Sequence, residues 1–194
     1  MKPESPATAL AALIEGNRRF AAGEPGLARR DPARRSEIAA GQHPRAAVVT
    51  CSDSRVGPEI VFDQGLGDIF VVRTAGNLID TFAIASLEYA AAHLGVPLIV
   101  VMGHSRCGAV ETAVKQGEAS GHLRAIISAL EPAIEAAKGR PGDLVDAAAR
   151  ENVRSAVAAL ELRETVIGVL AASGRLRVVG AFYDIERGTV EFFA

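Results

Sequence analysis

The chain has 194 residues, of which 49% are hydrophobic and 23% charged, with a formal net charge of −2. That is enough apolar sequence for one substantial core, and the near-neutral balance excludes the basic surface of a nucleic-acid or anionic-membrane binder. No run approaches the roughly 18 apolar residues of a membrane span, and the N-terminus lacks the apolar core of a signal peptide, which predicts a cytoplasmic protein.

The predicted elements alternate between helix and strand. Residues 6–22 carry Leu10, Leu13, Ile14 and Phe20 at helical spacing, with Gly23 as a stop. A loop rich in Pro and Arg follows. Its Arg29, Arg30, Arg34 and Arg35 have no interleaved aromatics and read as a solvated or interface segment. A short helix is expected at 34–40. Ala46–Thr50 is the first strand and runs into Cys51. Ile69–Arg73 is the second and ends at the turn Thr74-Ala75-Gly76-Asn77. A helix is predicted from Thr81 to His93, closed by Gly95, and a third strand from Leu98 to Met102 leads into Gly103-His104.

Further helices are expected near 107–116, 121–138 and 143–171, the last losing phase near Glu161–Arg163 as two helices would. Leu176–Tyr183 and Thr189–Phe193 read as strands joined at Arg187-Gly188. The pattern predicts an α/β fold: a mainly parallel central sheet with flanking helices and an antiparallel edge strand. In such sheets ligands bind beyond the carboxyl ends of the strands. Cys51 follows the first strand and His104 the third, so the architecture brings them together.

The only two cysteines, Cys51 and Cys107, stand with His104 in the strings CSDSR and GHSRCGA. Two thiolates and one imidazole can hold zinc and leave a fourth position open, the pattern of a catalytic rather than a structural site. The flanking motifs favour metal ligation in a reducing compartment over a disulfide. His104 and Cys107 can be aimed at one metal by a turn entering a helix, whose N-terminus favours the thiolate. Asp53 has two possible roles: orienting a zinc-bound water, or joining the metal as fourth ligand and displacing that water. Arg55 decides between them, because a guanidinium clamps a carboxylate through two parallel hydrogen bonds.

These strings resemble the β-class carbonic anhydrases, and the likeness extends through GQHPRAAVVTCSDSRV, DQGLGDIFVVRTAGN, SLEYAAAHLGVPLIVVMGHSRCGAV and RVVGAFYDIERGTV. The resemblance implies one domain over 1–194, with an N-terminal helical arm over 1–35 that reaches a partner subunit and an α/β core over 45–194. It implies one zinc per chain on Cys51, His104 and Cys107, an Asp53–Arg55 dyad, reversible hydration of CO2 to bicarbonate, and a homodimer or tetramer. Gln42 stands where relatives place a substrate-binding amide, a group able to steady charge on a CO2 oxygen. Phe70, Ala75 and Tyr89 match an apolar substrate pocket built partly by the neighbouring subunit, and Gly76 and Asn77 match the turn beside the metal.

Thr74 departs from the Asn of many relatives, and the chain has no Trp, the residue that marks a bicarbonate-inhibited branch. His43, His93 and His122 need no chemical role. Two other functions share the ligand set: hydrolysis of carbonyl sulfide or carbon disulfide, and a zinc-binding module without turnover. The second has no use for Asp53, Arg55 and Gln42 together.

Overall fold

The computed structural model describes residues 4–26, 29–116 and 120–193, so parts of the expected 1–35 arm, residues 1–3 and 27–28, lie outside them. Helix α1 (Pro6–Ala21) starts at Ser5, whose hydroxyl caps the Thr8 N–H, and α2 (Pro32–Ile38) starts at Asp31, which caps Arg34. Strand β1 (Ala46–Cys51) leads to a short helix α3 (Pro58–Val61), which the sequence pattern did not announce. Strand β2 (Ile69–Thr74) ends in a single 3₁₀ turn, Ala75–Asn77. Helix α4 (Thr81–Glu88) widens into a π-helical turn, Tyr89–His93, before β3 (Leu98–His104). Then come α5 (Gly108–Val114), α6 (Leu123–Ala137), α7 (Leu144–Leu160), α8 (Val166–Ala172), β4 (Arg177–Tyr183) and β5 (Val190–Phe193).

The strand order is β2-β1-β3-β4-β5, parallel throughout except for the antiparallel edge strand β5. β1 and β3 are buried along their whole length, which is why they read as unbroken apolar runs rather than alternating ones. Successive residues still point to opposite faces. Ala47, Val49, Ile99, Val101 and Val178 pack with Leu87, Val153, Leu160 and Ile167 on one side. Ala46, Val48, Leu98, Val100 and Val179 pack with Leu13, Val61 and Phe62 on the other.

The expected 143–171 helix is two helices. The break falls after Leu160, and Thr165 starts the second by capping the Gly168 N–H. One expectation about the N-terminal third changes. Ile14 is 48% exposed, because α1 buries the face of Ala9, Leu13, Gly16 and Asn17 instead. That face packs on the chain's own sheet: Asn17 donates to Val61 O and Gly188 O and accepts from the Val190 N–H.

The arginine-rich segment is likewise tied down within the chain. Arg34 bonds Asp68 and Leu66 O, Arg29 bonds Glu37 and Asp68, and Arg30 donates to Gln64 O.

Leaving β1 the chain passes to β2 on one side, and leaving β3 it passes to β4 on the other. The carboxyl ends of β1 and β3 therefore flank the point where the winding reverses, the crevice in which open α/β sheets hold ligands.

Candidate metal centre

Cys51 ends β1 and His104 ends β3, and the register that sets Thr50 beside Met102 brings Cys51 level with Gly103, one residue short of His104. Cys107 must then be swung back towards them. Arg106 makes that turn in the left-handed region at φ 54°, with its N–H held by Asp146 Oδ1 at 2.9 Å. Ser105 braces the same turn: its N–H bonds Tyr183 O, and its hydroxyl accepts from the Ile185 N–H. Cys107 becomes the N-cap of α5. All three residues are buried, and their donor atoms lie within 4.8 Å of one another, with the two Sγ atoms 4.0 Å apart and unbridged.

The donor set fits a soft divalent cation. His104 Nδ1 lies 2.9 Å from Ser105 O. A carbonyl can only accept, so Nδ1 carries the proton and Nε2 keeps its lone pair. Among the described residues only His104 Nε2 and Asn77 Nδ2 are buried side-chain N or O atoms without a hydrogen-bond partner. For Nε2 a metal would supply the missing partner. The thiols show the same need. The Cys107 S–H donates to Cys51 and holds it down at about 4, while that contact and burial push the Cys107 thiol up. Both sulfurs can be thiolates at this distance only with a cation between them. Two thiolates and one imidazole are a zinc-type set with an open fourth position.

Asp53 stands at the edge of this cluster, its Oδ2 4.0 Å from His104 Nε2. Arg55 engages both carboxylate oxygens and also gives its backbone N–H to Oδ1. The guanidinium holds the Asp53 carboxyl well below the usual carboxylate range. In this arrangement Asp53 is outside the three-residue cluster and paired with Arg55 instead.

Two further residues hold the site, and neither was singled out from the sequence. Arg73, in β2, donates to the carbonyls of Cys51 and Asp53 at 3.0 and 2.7 Å, pinning the loop that carries the dyad. Asn152, in α7, donates to Gly76 O at 2.9 Å, and the Gly76 N–H donates to Cys51 Sγ at 3.3 Å. An arginine amid a strand and an asparagine in a helix carry no motif. Only their contacts reveal them.

The structure thus gathers Cys51, Asp53, Arg55, Gly76, His104 and Cys107, with Ala75 on the adjoining turn. The other expected substrate residues lie elsewhere in the chain. Gln42 is exposed and precedes β1, whose length alone carries the chain about 16 Å to Cys51. Phe70 pairs with Ala47 at the far end of β2 from Thr74. Tyr89, 47% exposed, sits 6.4 Å from the Phe70 ring and 5.4 Å from the His93 ring. The remaining histidines, His43, His93 and His122, are all exposed.

A family model described as carbonic anhydrase matches residues 46–190. A carbonic anhydrase of Mycolicibacterium smegmatis is 43% identical over 195 residues, covering 98% of this chain and 95% of the relative. Among solved structures, the β-carbonic anhydrase CcaA superposes with a TM-score of 0.75 at 30% identity, covering 95% of each chain. A tetrameric β-carbonic anhydrase from Sordaria macrospora also gives 0.75, at 28% identity, covering 95% of this chain and 96% of the other.

Proposed function

Because this chain belongs to the β-class carbonic anhydrase family, it is an enzyme of reversible CO2 hydration, and we propose that Cys51, His104 and Cys107 hold its catalytic zinc. The observation that carries the assignment is the buried cluster itself: two facing sulfurs and an orphaned imidazole nitrogen at the strand switch point. Zinc held there would supply Lewis acidity, bringing the pKa of a water towards neutrality. Two thiolates offset more of its charge than neutral ligands would, so activity is expected to rise towards alkaline pH.

The chain's own residues then position the reactants. Asp53, kept ionised by Arg55, accepts a hydrogen bond from the attacking oxygen and turns its lone pair towards CO2. Arg55 keeps that carboxylate off the open coordination position. Arg73 fixes the backbone between Cys51 and Asp53, so the acceptor keeps its aim. The backbone at Ala75 and Gly76 borders the substrate, and the positive φ that glycine adopts at 76 turns its N–H onto the Cys51 sulfur.

Gln42, Phe70 and Tyr89 lie too far along the sheet to serve this chain's own cluster. We assign them to the site of a second copy, where the Gln42 amide steadies the developing bicarbonate and the two rings wall the pocket. The working unit is then a homodimer, or a tetramer built from dimers. Among the described residues no helix is long and apolar enough to cross a membrane. Two free thiols held 4.0 Å apart suit a reducing compartment, and we place the protein in the cytoplasm.

The test is stopped-flow CO2 hydration by zinc-quantified protein from about pH 6.5 to about 9. A rate that rises with pH and is lost in Cys51→Ser supports the assignment. Full zinc loading with no turnover at any pH would overturn the mechanism.

A further inference from the structure

Gly76 links the cluster to a residue that the reaction itself does not touch. Its N–H donates to Cys51 Sγ at 3.3 Å, and its carbonyl accepts from Asn152 Nδ2 at 2.9 Å. Asn152 is 7% exposed and lies in the 17-residue helix α7, whose Val153, Ala156, Val157 and Leu160 are packed in the sheet core. The donor is therefore mounted on a rigid element.

Gly76 has φ 70° and ψ 19°, and Asn77 follows at φ 46°, two left-handed residues in succession. Space does not demand the glycine: a Cβ there would meet Ala109 and Leu130 at an ordinary 3.5 Å. The backbone conformation demands it, and a residue without Cβ is equally free to leave that conformation. Nothing else in the turn fixes the Gly76 carbonyl among the contacts of the described residues; Thr74 closes the turn onto Leu78 O.

We propose that Asn152 is a positioning residue for the metal ligand Cys51. By fixing the Gly76 carbonyl it keeps the Gly76 N–H on the sulfur, and so sets the donor strength and metal affinity of that thiolate. The inference rests on the proposed reading of Cys51 as a ligand. An N–H directed at a thiolate is a charge-assisted bond that draws electron density from the sulfur. Without the anchor the turn relaxes, the bond is lost for part of the time, and the sulfur becomes more electron-rich and less well aimed. Outer partners of this kind typically change metal affinity by about 10- to 100-fold.

The test uses cobalt(II) in place of zinc, because sulfur-to-cobalt charge-transfer absorption reports the thiolate directly. Wild type, Asn152→Leu and Asn152→Ala are compared by that absorption, by cobalt affinity in competition with a chelator, and by far-ultraviolet circular dichroism. The alanine variant keeps the test open if leucine overpacks the site. The expected result is a native fold, a charge-transfer band moved to longer wavelength, and affinity lowered about tenfold or more. A folded variant whose band is unmoved and whose affinity stays within about twofold of wild type, below the range of outer partners, overturns the role of Asn152. A wild-type protein with no sulfur-to-cobalt band overturns the ligand assignment, and this inference with it.

Discussion

Arg55 grips Asp53 along both carboxylate oxygens, Nε to Oδ1 at 2.9 Å and Nη2 to Oδ2 at 2.7 Å, while Asp53 Oδ2 lies only 4.0 Å from His104 Nε2. The carboxylate is thus held one short movement from the ligand cluster by its guanidinium partner. Arg55→Ala is expected to free it to join the cation, leaving zinc at one per chain while CO2 hydration falls by about 100-fold. Arg55→Lys should fall in the same direction, because an ammonium cannot hold two oxygens in parallel. Stopped-flow rates with zinc analysis measure this, and near-wild-type turnover in both variants would contradict it.

Metal uptake by the thiol pair should release a countable number of protons. In the metal-free chain the Cys107 S–H donates to Cys51, which is thiolate above about 4, while Cys107 is pushed up by that contact and by burial. Over the neutral and mildly alkaline range one thiol proton remains for zinc to displace. Zinc binding near pH 8, where imidazoles are neutral, is expected to release about one proton, and affinity should strengthen about tenfold per unit rise in pH. Calorimetry in two buffers of different ionisation enthalpy counts the protons. A release of two that persists as the pH is lowered, where a zinc-bound water would keep its proton, would show that the sulfurs do not share one.

The distance between Gln42 and Cys51 along β1 makes a test of assembly. Gln42→Ala and Cys51→Ser should each lower CO2 hydration alone. If Gln42 serves a second copy, unfolding and refolding the two variants together creates sites with both residues intact. About a quarter of wild-type activity should then return, by random pairing of two-fold units. No recovery from mixed, folded oligomers would place Gln42 outside the neighbouring site.

Asn17 ties the first helix to the last strand through three hydrogen bonds, to Val61 O, Gly188 O and the Val190 N–H, at 3.1, 2.9 and 2.8 Å. Asn17→Leu keeps the branched shape and leaves three backbone groups unpaired, a cost of about 3 kcal/mol or more. Urea denaturation should show it as a lower midpoint with an unchanged slope. Zinc loading of the folded fraction should be unaffected, since no bond from Asn17 reaches the cluster.

The sequence by itself determined the parts of this protein that local chemistry dictates. Short β-branched runs at 46–50 and 98–102 read as buried strands, helical spacing lay between them, and the donor types of Cys51, His104 and Cys107 named a zinc-like cation. Ile14 was harder to place, because an amphipathic stripe does not say which edge of it faces the sheet; α1 buried Ala9, Leu13 and Asn17, with Leu10 and Phe20 half-buried beside them. Arg73 and Asn152 were invisible, since a side chain that serves a backbone carbonyl leaves no pattern in its own neighbourhood. The placement of Gln42 and Tyr89 away from the cluster was equally hidden. Parallel pairing decided these matters: it sends the carboxyl ends of β1 and β3 to one end of the sheet and their beginnings to the other, and only contacts across the fold fix which residues share an end.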